Sequence, residues 1–301
     1  MRMPSVLLLG NGLNMTFDGT AWKELIHKLG RREDLPAEMT LPYPLQILLA
    51  THGSCRKSLI EDQYDLIGIQ PRGDFLDLLS RLLSMGFDDI LTTNYSYELE
   101  RALFPDETDP KRILRRVQRM TRRTIDRAEI RNLMHTYNRL EDDSGAVNRV
   151  WHIHGEARKI ASMVVGHYEY ASLLAAMKGV SDARRDAYRH LDVRPLDKLS
   201  WVDQFILGDV YVLGFGFNPA EFDLWWLLDR KQREKGRHGH VWFYEPREDV
   251  AFDEKIELLR TMDVEILDLG MTLSKDPLLR KRQFEDFYPM AMDDIQRRMT
   301  E

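Results

Sequence analysis

The chain has 301 residues, 43% of them hydrophobic and 31% charged, with a formal net charge of −6. That composition excludes a disordered chain and suits one large domain or two small ones. The acidic balance leaves no overall basic excess for nucleic acid. The one cysteine, Cys55, permits neither an internal disulfide nor a Cys-rich zinc module.

Residues 6–9 are an aliphatic run stopped by Gly10 and read as a short buried strand. The run is too short for a signal-peptide core or a membrane span. The expected address is the cytosol, with no membrane partner. Over 22–29, Trp22, Leu25, Ile26 and Leu29 fall at i, i+3, i+4, i+7, which predicts a helix. Pro36, Pro42 and Pro44 mark a loop. A second helix is predicted over 75–85, with Gly86 as its stop.

Residues 89–93 read as the second strand, and helical spacing resumes over 96–103. From 111 to about 140 the spacing predicts a long helical region, with Ile113, Leu114, Val117, Met120 and Thr124 as its apolar stripe. It carries ten basic residues against Asp126 and Glu129, an excess of eight. Such a run can bind phosphate backbones, but a solvated face paired with acids is the commoner use, so nucleic acid is not expected as a partner.

Residues 150–154 form a third predicted strand. Residues 204–207 and 209–213 surround a fourth, and a helix follows over 218–230. Residues 240–244 and 264–269 give the fifth and sixth. Strands that are apolar throughout and alternate with helices imply a parallel sheet covered on both faces. The predicted fold is α/β: a Rossmann-like, mostly parallel sheet within a single domain over 1–301, with a helical arginine-rich insertion at about 105–148.

Four motifs sit at the carboxyl ends of these strands, where such sheets bind ligands. Gly10-Asn11-Gly12 allows a tight turn and a close approach of backbone N–H groups to a pyrophosphate, although Met15 stands where a third fingerprint glycine would be. Thr93-Asn94 offers a side-chain amide for a ribose hydroxyl or a water, or alternatively a helix cap. His152 and His154, two apart on a predicted strand, point to one face, and a histidine there can act as general base. A buried, backbone-bonded histidine is the plainer use, and no further ligand cluster suggests a metal. Gly214-Phe215-Gly216 makes a second glycine turn. Glu221 and Asp223 follow in the first turn of a helix, where the macrodipole favours carboxylates. Glu245 ends the next strand, about where a dinucleotide fold places an acid against a ribose.

Thr92-Thr93-Asn94-Tyr95, Ile153-His154-Gly155, Gly214-Phe215-Gly216 with Asp223, and the opening Gly10-Asn11-Gly12-Leu13-Asn14 with Trp22 occur in this order. Taken together they resemble the bacterial sirtuin-like NAD-hydrolase family, over about residues 5–270. The resemblance implies that Asn94 and His154 are the active-site asparagine and catalytic histidine. It implies that Gly10, Asn11, Gly12, Thr93, Gly155, Gly214 and Gly216 surround the dinucleotide. Asp223 and Glu245 would lie near its adenosine half or support it.

Protein-deacylating sirtuins carry a four-cysteine zinc module that this chain cannot form. Free NAD and water are therefore the expected substrates, without zinc, and the products are nicotinamide and ADP-ribose. The resemblance also implies a role in anti-phage defence and control by homo-oligomer assembly, an activating partner or a ligand. The competing expectations are a non-catalytic module for NAD or ADP-ribose, a protein deacylase, and a nucleic-acid-binding protein using the basic segment.

Overall fold

The computed structural model describes residues 3–17, 19, 24–26, 39–51, 70–107, 112–113, 116–121, 130–142, 145–184, 200–234 and 238–301. The chain opens with strand β1 (Ser5–Leu9), buried along its whole length, and a single-turn helix α1 (Gly12–Thr16). Helices α2 (Tyr43–Ala50) and α3 (Gly73–Ser84) precede strand β2 (Asp89–Thr92) and helix α4 (Glu98–Leu103). Strand β3 (Gln118–Thr121), a 3₁₀ turn (Ile130–His135) and strands β4 (Thr136–Glu141) and β5 (Val147–His152) follow. Helices α5 (His167–Ala183) and α6 (Trp201–Leu207) lead to strand β6 (Asp209–Leu213) and helix α7 (Phe222–Gln232). Strand β7 (Val241–Tyr244), helix α8 (Glu254–Thr261), strand β8 (Val264–Leu267) and the long helix α9 (Pro277–Thr300) complete it.

Among the described residues the strands form one eight-stranded sheet in the order β3-β4-β5-β2-β1-β6-β7-β8. From β5 to β8 every neighbouring pair is parallel, and at the other edge β4 runs antiparallel to both of its neighbours, β3 and β5. Strand β1 sits between β2 and β6, so its carboxyl end lies at the centre of the sheet edge.

Alternation along each strand explains the burial. Val6, Leu8, Val210, Val212 and Phe243 point to one face and pack with residues of α5, α6 and α7. Leu7, Leu9, Tyr211, Leu213 and Tyr244 point to the other and pack with α3 and with Phe287, Tyr288, Ala291, Met292 and Ile295 of α9. Both faces are apolar because both are covered, as the runs without polar interruption imply. The expected mostly parallel α/β sheet is therefore present.

Three local expectations are corrected. The described part of 111–140 is not one helix: it contains β3, the 3₁₀ turn and β4. Three of its basic side chains that are described are used locally: Arg112 lies beside Glu107, Arg139 pairs with Glu141, and the Arg116 guanidinium sits 3.8 Å above the Phe104 ring. Pro42 and Pro44 start α2 rather than mark a loop, since a helix's first turn needs no N–H from proline. Residues 204–207 belong to α6, not to a strand. Of the helix expected over 22–29, the described residues 24–26 are helical, while Pro36 and Cys55 lie outside the described residues.

Two polar anchors fix the elements that carry the site. Lys231 of α7 is buried, and its ammonium donates to the carbonyls of Phe205, Ile206 and Gly208 at 3.1, 3.0 and 2.6 Å, tying α7 to the end of α6. Burial lowers its pKa to about 7, with Asp209 opposing. Asp89, fully buried in β2, accepts two bonds of 2.9 Å from Arg149 and one of 2.7 Å from the Trp151 indole, locking β5 against β2.

Candidate active site

The turns after β1 and β6 interlock. Gly10 N–H donates to the Leu213 carbonyl at 3.0 Å, and Gly12 N–H donates to that of Gly214 at 2.7 Å. A Cβ added at Gly10 would lie 2.4 Å from the Gly214 oxygen, and one at Gly12 would lie 2.7 Å from it. These glycines are thus required by the contact between two turns. The Gly12 N–H is spent inside the protein rather than left for a pyrophosphate. Gly214 itself has φ +62°, a left-handed conformation that glycine adopts without strain. Replacing Gly10 by Ala is expected to force the turns apart and cost about 1–3 kcal/mol of stability. A fall in the denaturant midpoint would register it, and an unchanged midpoint would show that the turns can separate freely.

Beside these turns opens a cavity of about 1140 Å³. Asn11, Gly12, Thr93, Asn94, His154, Gly214 and Gly216 all line it. Seven residues selected from four separated motifs therefore converge on one space at the carboxyl ends of β1, β2, β5 and β6. A Cβ at Gly216 would meet nothing within 4 Å, so this glycine keeps the wall open. Phe222, Val250 and Phe252 also line the cavity and are exposed, giving it an apolar rim.

Strand β5 ends at His152, and the chain turns through Ile153 and His154 to Gly155 at φ +89°. The shared-face expectation for the two histidines fails because the strand stops between them. Gly155 does not line the cavity. A Cβ there would lie 2.3 Å from the Ser162 carbonyl oxygen, so it serves the turn that presents His154. His154 Nε2 lies 2.8 Å from Asp223 Oδ2, and both side chains are buried. With Nε2–H donating to the carboxylate, Nδ1 keeps its lone pair. The Tyr170 ring meets the imidazole edge-on, with centroids 5.4 Å apart. Asp223 thus supports the histidine, in the first turn of α7.

Asn94 is not the helix cap: α4 begins at Glu98, with Tyr97 in the capping position. Its N–H donates to Thr92 Oγ1 at 3.1 Å, and its carbonyl accepts from His152 Nδ1 at 2.8 Å. Its side-chain Oδ1 is buried without a hydrogen-bond partner in a residue that lines the cavity. An orphaned buried acceptor at a ligand-sized space is an available contact for a hydroxyl or a water.

Behind Asn94 lies a polar network that the sequence reading did not identify. His152 Nε2 donates to Glu100 at 2.9 Å, and Asn138 of β4 donates to the same carboxylate at 3.0 Å. Burial opposes charge on His152, but the adjacent Glu100 carboxylate outweighs it and lifts the imidazole to about 9. Both ring nitrogens then donate, one to Glu100 and one to the Asn94 backbone. The Tyr97 hydroxyl extends the network to Glu156 at 3.0 Å.

Two acids differ from their expected placement. Glu245 does not line the cavity. It lies 3.7 Å from Lys255, and burial raises it to about 7. Glu248 and Lys255 do line it, reached by the loop after β7 and the first turn of α8. Glu221, the residue preceding α7, lines the cavity and is 9% exposed. Burial and then the neighbouring Asp223 push its carboxyl well above the usual range.

Among the described residues, no group of three or more His, Cys, Asp or Glu side chains is placed to hold a metal, and no helix is long and apolar enough to cross a membrane. Residues 88–267 match the family model described as the SIR2-like domain. No curated protein matches the chain.

Proposed function

This chain belongs to the SIR2-like domain family, which carries an NAD-related function in the broad sense, and from that premise we propose that it is an NAD glycohydrolase. The observation that supports this reading most is the pairing of His154 with Asp223 on the cavity that Asn94 also lines. NAD would lie across the glycine turns with its nicotinamide ribose toward Asn94 and His154. Asn94 Oδ1 would accept from a ribose hydroxyl or from the attacking water.

The bond between the ribose C1′ and the nicotinamide nitrogen breaks, and its electron pair neutralises the pyridinium. A water oxygen bonds to C1′ through an oxocarbenium-like state. His154 Nδ1 takes the proton, directly or by way of a ribose hydroxyl, and the Asp223 carboxylate stabilises the imidazolium that results. The products are nicotinamide and ADP-ribose. An activity that consumes NAD must be restrained, so control by subunit assembly or by an activating ligand belongs to the same reading, as does use in anti-phage defence.

The direct test is purified protein incubated with NAD, with nicotinamide release followed by chromatography. Release by the wild type, and its loss in Asn94→Ala, is the expected result. Bound NAD without release would point to a binding module, and absence of NAD binding would overturn the reading.

A further inference from the structure

Two carboxyl groups stand two residues apart at the start of α7, and they are used differently. Asp223 is committed to His154. Glu221 Oε2 is buried without a hydrogen-bond partner, although Glu221 lines the cavity. Burial, and then the Asp223 carboxylate two residues away, favour its protonated form. The Tyr170 hydroxyl, on which Glu221 and Asp223 both bear, is likewise held in its protonated form, first by burial. In that form the Glu221 carboxyl offers the cavity an O–H donor and a C=O acceptor side by side.

That pattern complements a planar group with an acceptor and an N–H donor side by side. In a nicotinamide dinucleotide two groups present it: the carboxamide and the adenine edge. Glu221 stands beside the His154–Asp223 pair, where the glycosidic bond would break, so the carboxamide is its match. Neutrality also serves the reaction. A carboxylate there would stabilise the pyridinium cation of bound substrate, and that stabilisation would be lost as the ring leaves uncharged. A neutral acid binds the carboxamide before and after cleavage alike, so it adds no such penalty.

We infer that Glu221 recognises the nicotinamide carboxamide through a paired hydrogen bond from its carboxyl, and so sets the preference of the site for amide-bearing dinucleotides. The inference rests on the NAD glycohydrolase reading and goes beyond it.

The test compares binding of carba-NAD, which has a carbocycle in place of the nicotinamide ribose and is not hydrolysed, with binding of ADP-ribose, which lacks nicotinamide. Calorimetry on the wild type, Glu221→Gln and Glu221→Leu gives the affinity ratio of the two ligands. Gln keeps a donor and an acceptor at the same place, so it should retain most of the ratio. Leu should reduce it by about ten- to a hundredfold while ADP-ribose affinity stays the same. Unchanged ADP-ribose affinity also shows that the Leu variant is folded. A ratio unmoved in Glu221→Leu, or lowered equally in Glu221→Gln, overturns the inference and leaves the glycohydrolase reading standing. Failure of the wild type to bind either ligand overturns both.

Discussion

In His154→Ala, nicotinamide release should fall by about 10²–10⁴-fold, the usual contribution of a positioned general base. The alanine also leaves Asp223 buried without its partner, so some loss of stability accompanies it. Asp223→Asn separates the two effects. An amide cannot enforce the Nε2–H tautomer: its NH₂ can donate to Nε2 and move the ring proton to Nδ1, where the base must be free. It removes the carboxylate's charge but leaves a side chain of the same shape, including the Oδ1 that already lacks a partner. Asp223→Asn should therefore lose at least about 10²-fold in kcat while its melting temperature stays near that of the wild type. A fall in melting temperature with kcat unchanged would assign the pair a structural role and remove His154 from the chemistry.

His152→Leu is expected to have the largest effect on stability. It strips Glu100, which has no exposed surface, of the charge that compensates it. Breaking a buried pair in this way costs about 3–5 kcal/mol. Denaturant unfolding would measure it, and a double variant with Glu100→Leu should recover much of the loss. The pair also predicts a pH dependence. The His152 pKa rises on folding from 6.5 to about 9, so its stabilisation is complete below pH 6.5 and is lost as pH rises through 9. Wild-type stability should decline over that window, and the double variant should lack this component of the decline. A wild-type curve as flat as that of the double variant would show that His152 is not charged in the fold. Because the same imidazolium donates to the Asn94 carbonyl, the substitution should also lower nicotinamide release by displacing the Asn94 turn.

The centre of the fold was legible because β7 is apolar throughout and β1 and β6 are apolar after their first residues, Ser5 and Asp209, as strands of a sheet covered on both faces are. The glycine turns, Asn94 and His154 were legible because each ends an apolar run. Strand β4 was not. Its buried positions Thr136, Asn138 and Leu140 alternate, but two of the three are polar, so a search for apolar periodicity passes over them. Asn138 is inside because Glu100 needs its amide, a requirement invisible without the fold. The pairing of His152 with Glu100 joins residues 52 positions apart, and that of His154 with Asp223 joins residues 69 apart. No local spacing encodes either pair. Helix α9 escaped because Pro289 and a dense set of charges interrupt the stripe that buries Phe287, Tyr288, Ala291, Met292 and Ile295.

The placement of β1 bears on how the chain can be divided. The segment recognisable as a SIR2-like domain starts at residue 88, yet the strand between its β2 and β6 consists of residues 5–9. Cut at the recognisable boundary, the sheet would lose its middle strand, and two rows of backbone hydrogen-bonding groups would be left facing each other across a gap. The family segment is therefore not a portable module: grafted into a fusion or expressed alone, it would need the first strand supplied again, in parallel and in register, from the same amino-terminal piece.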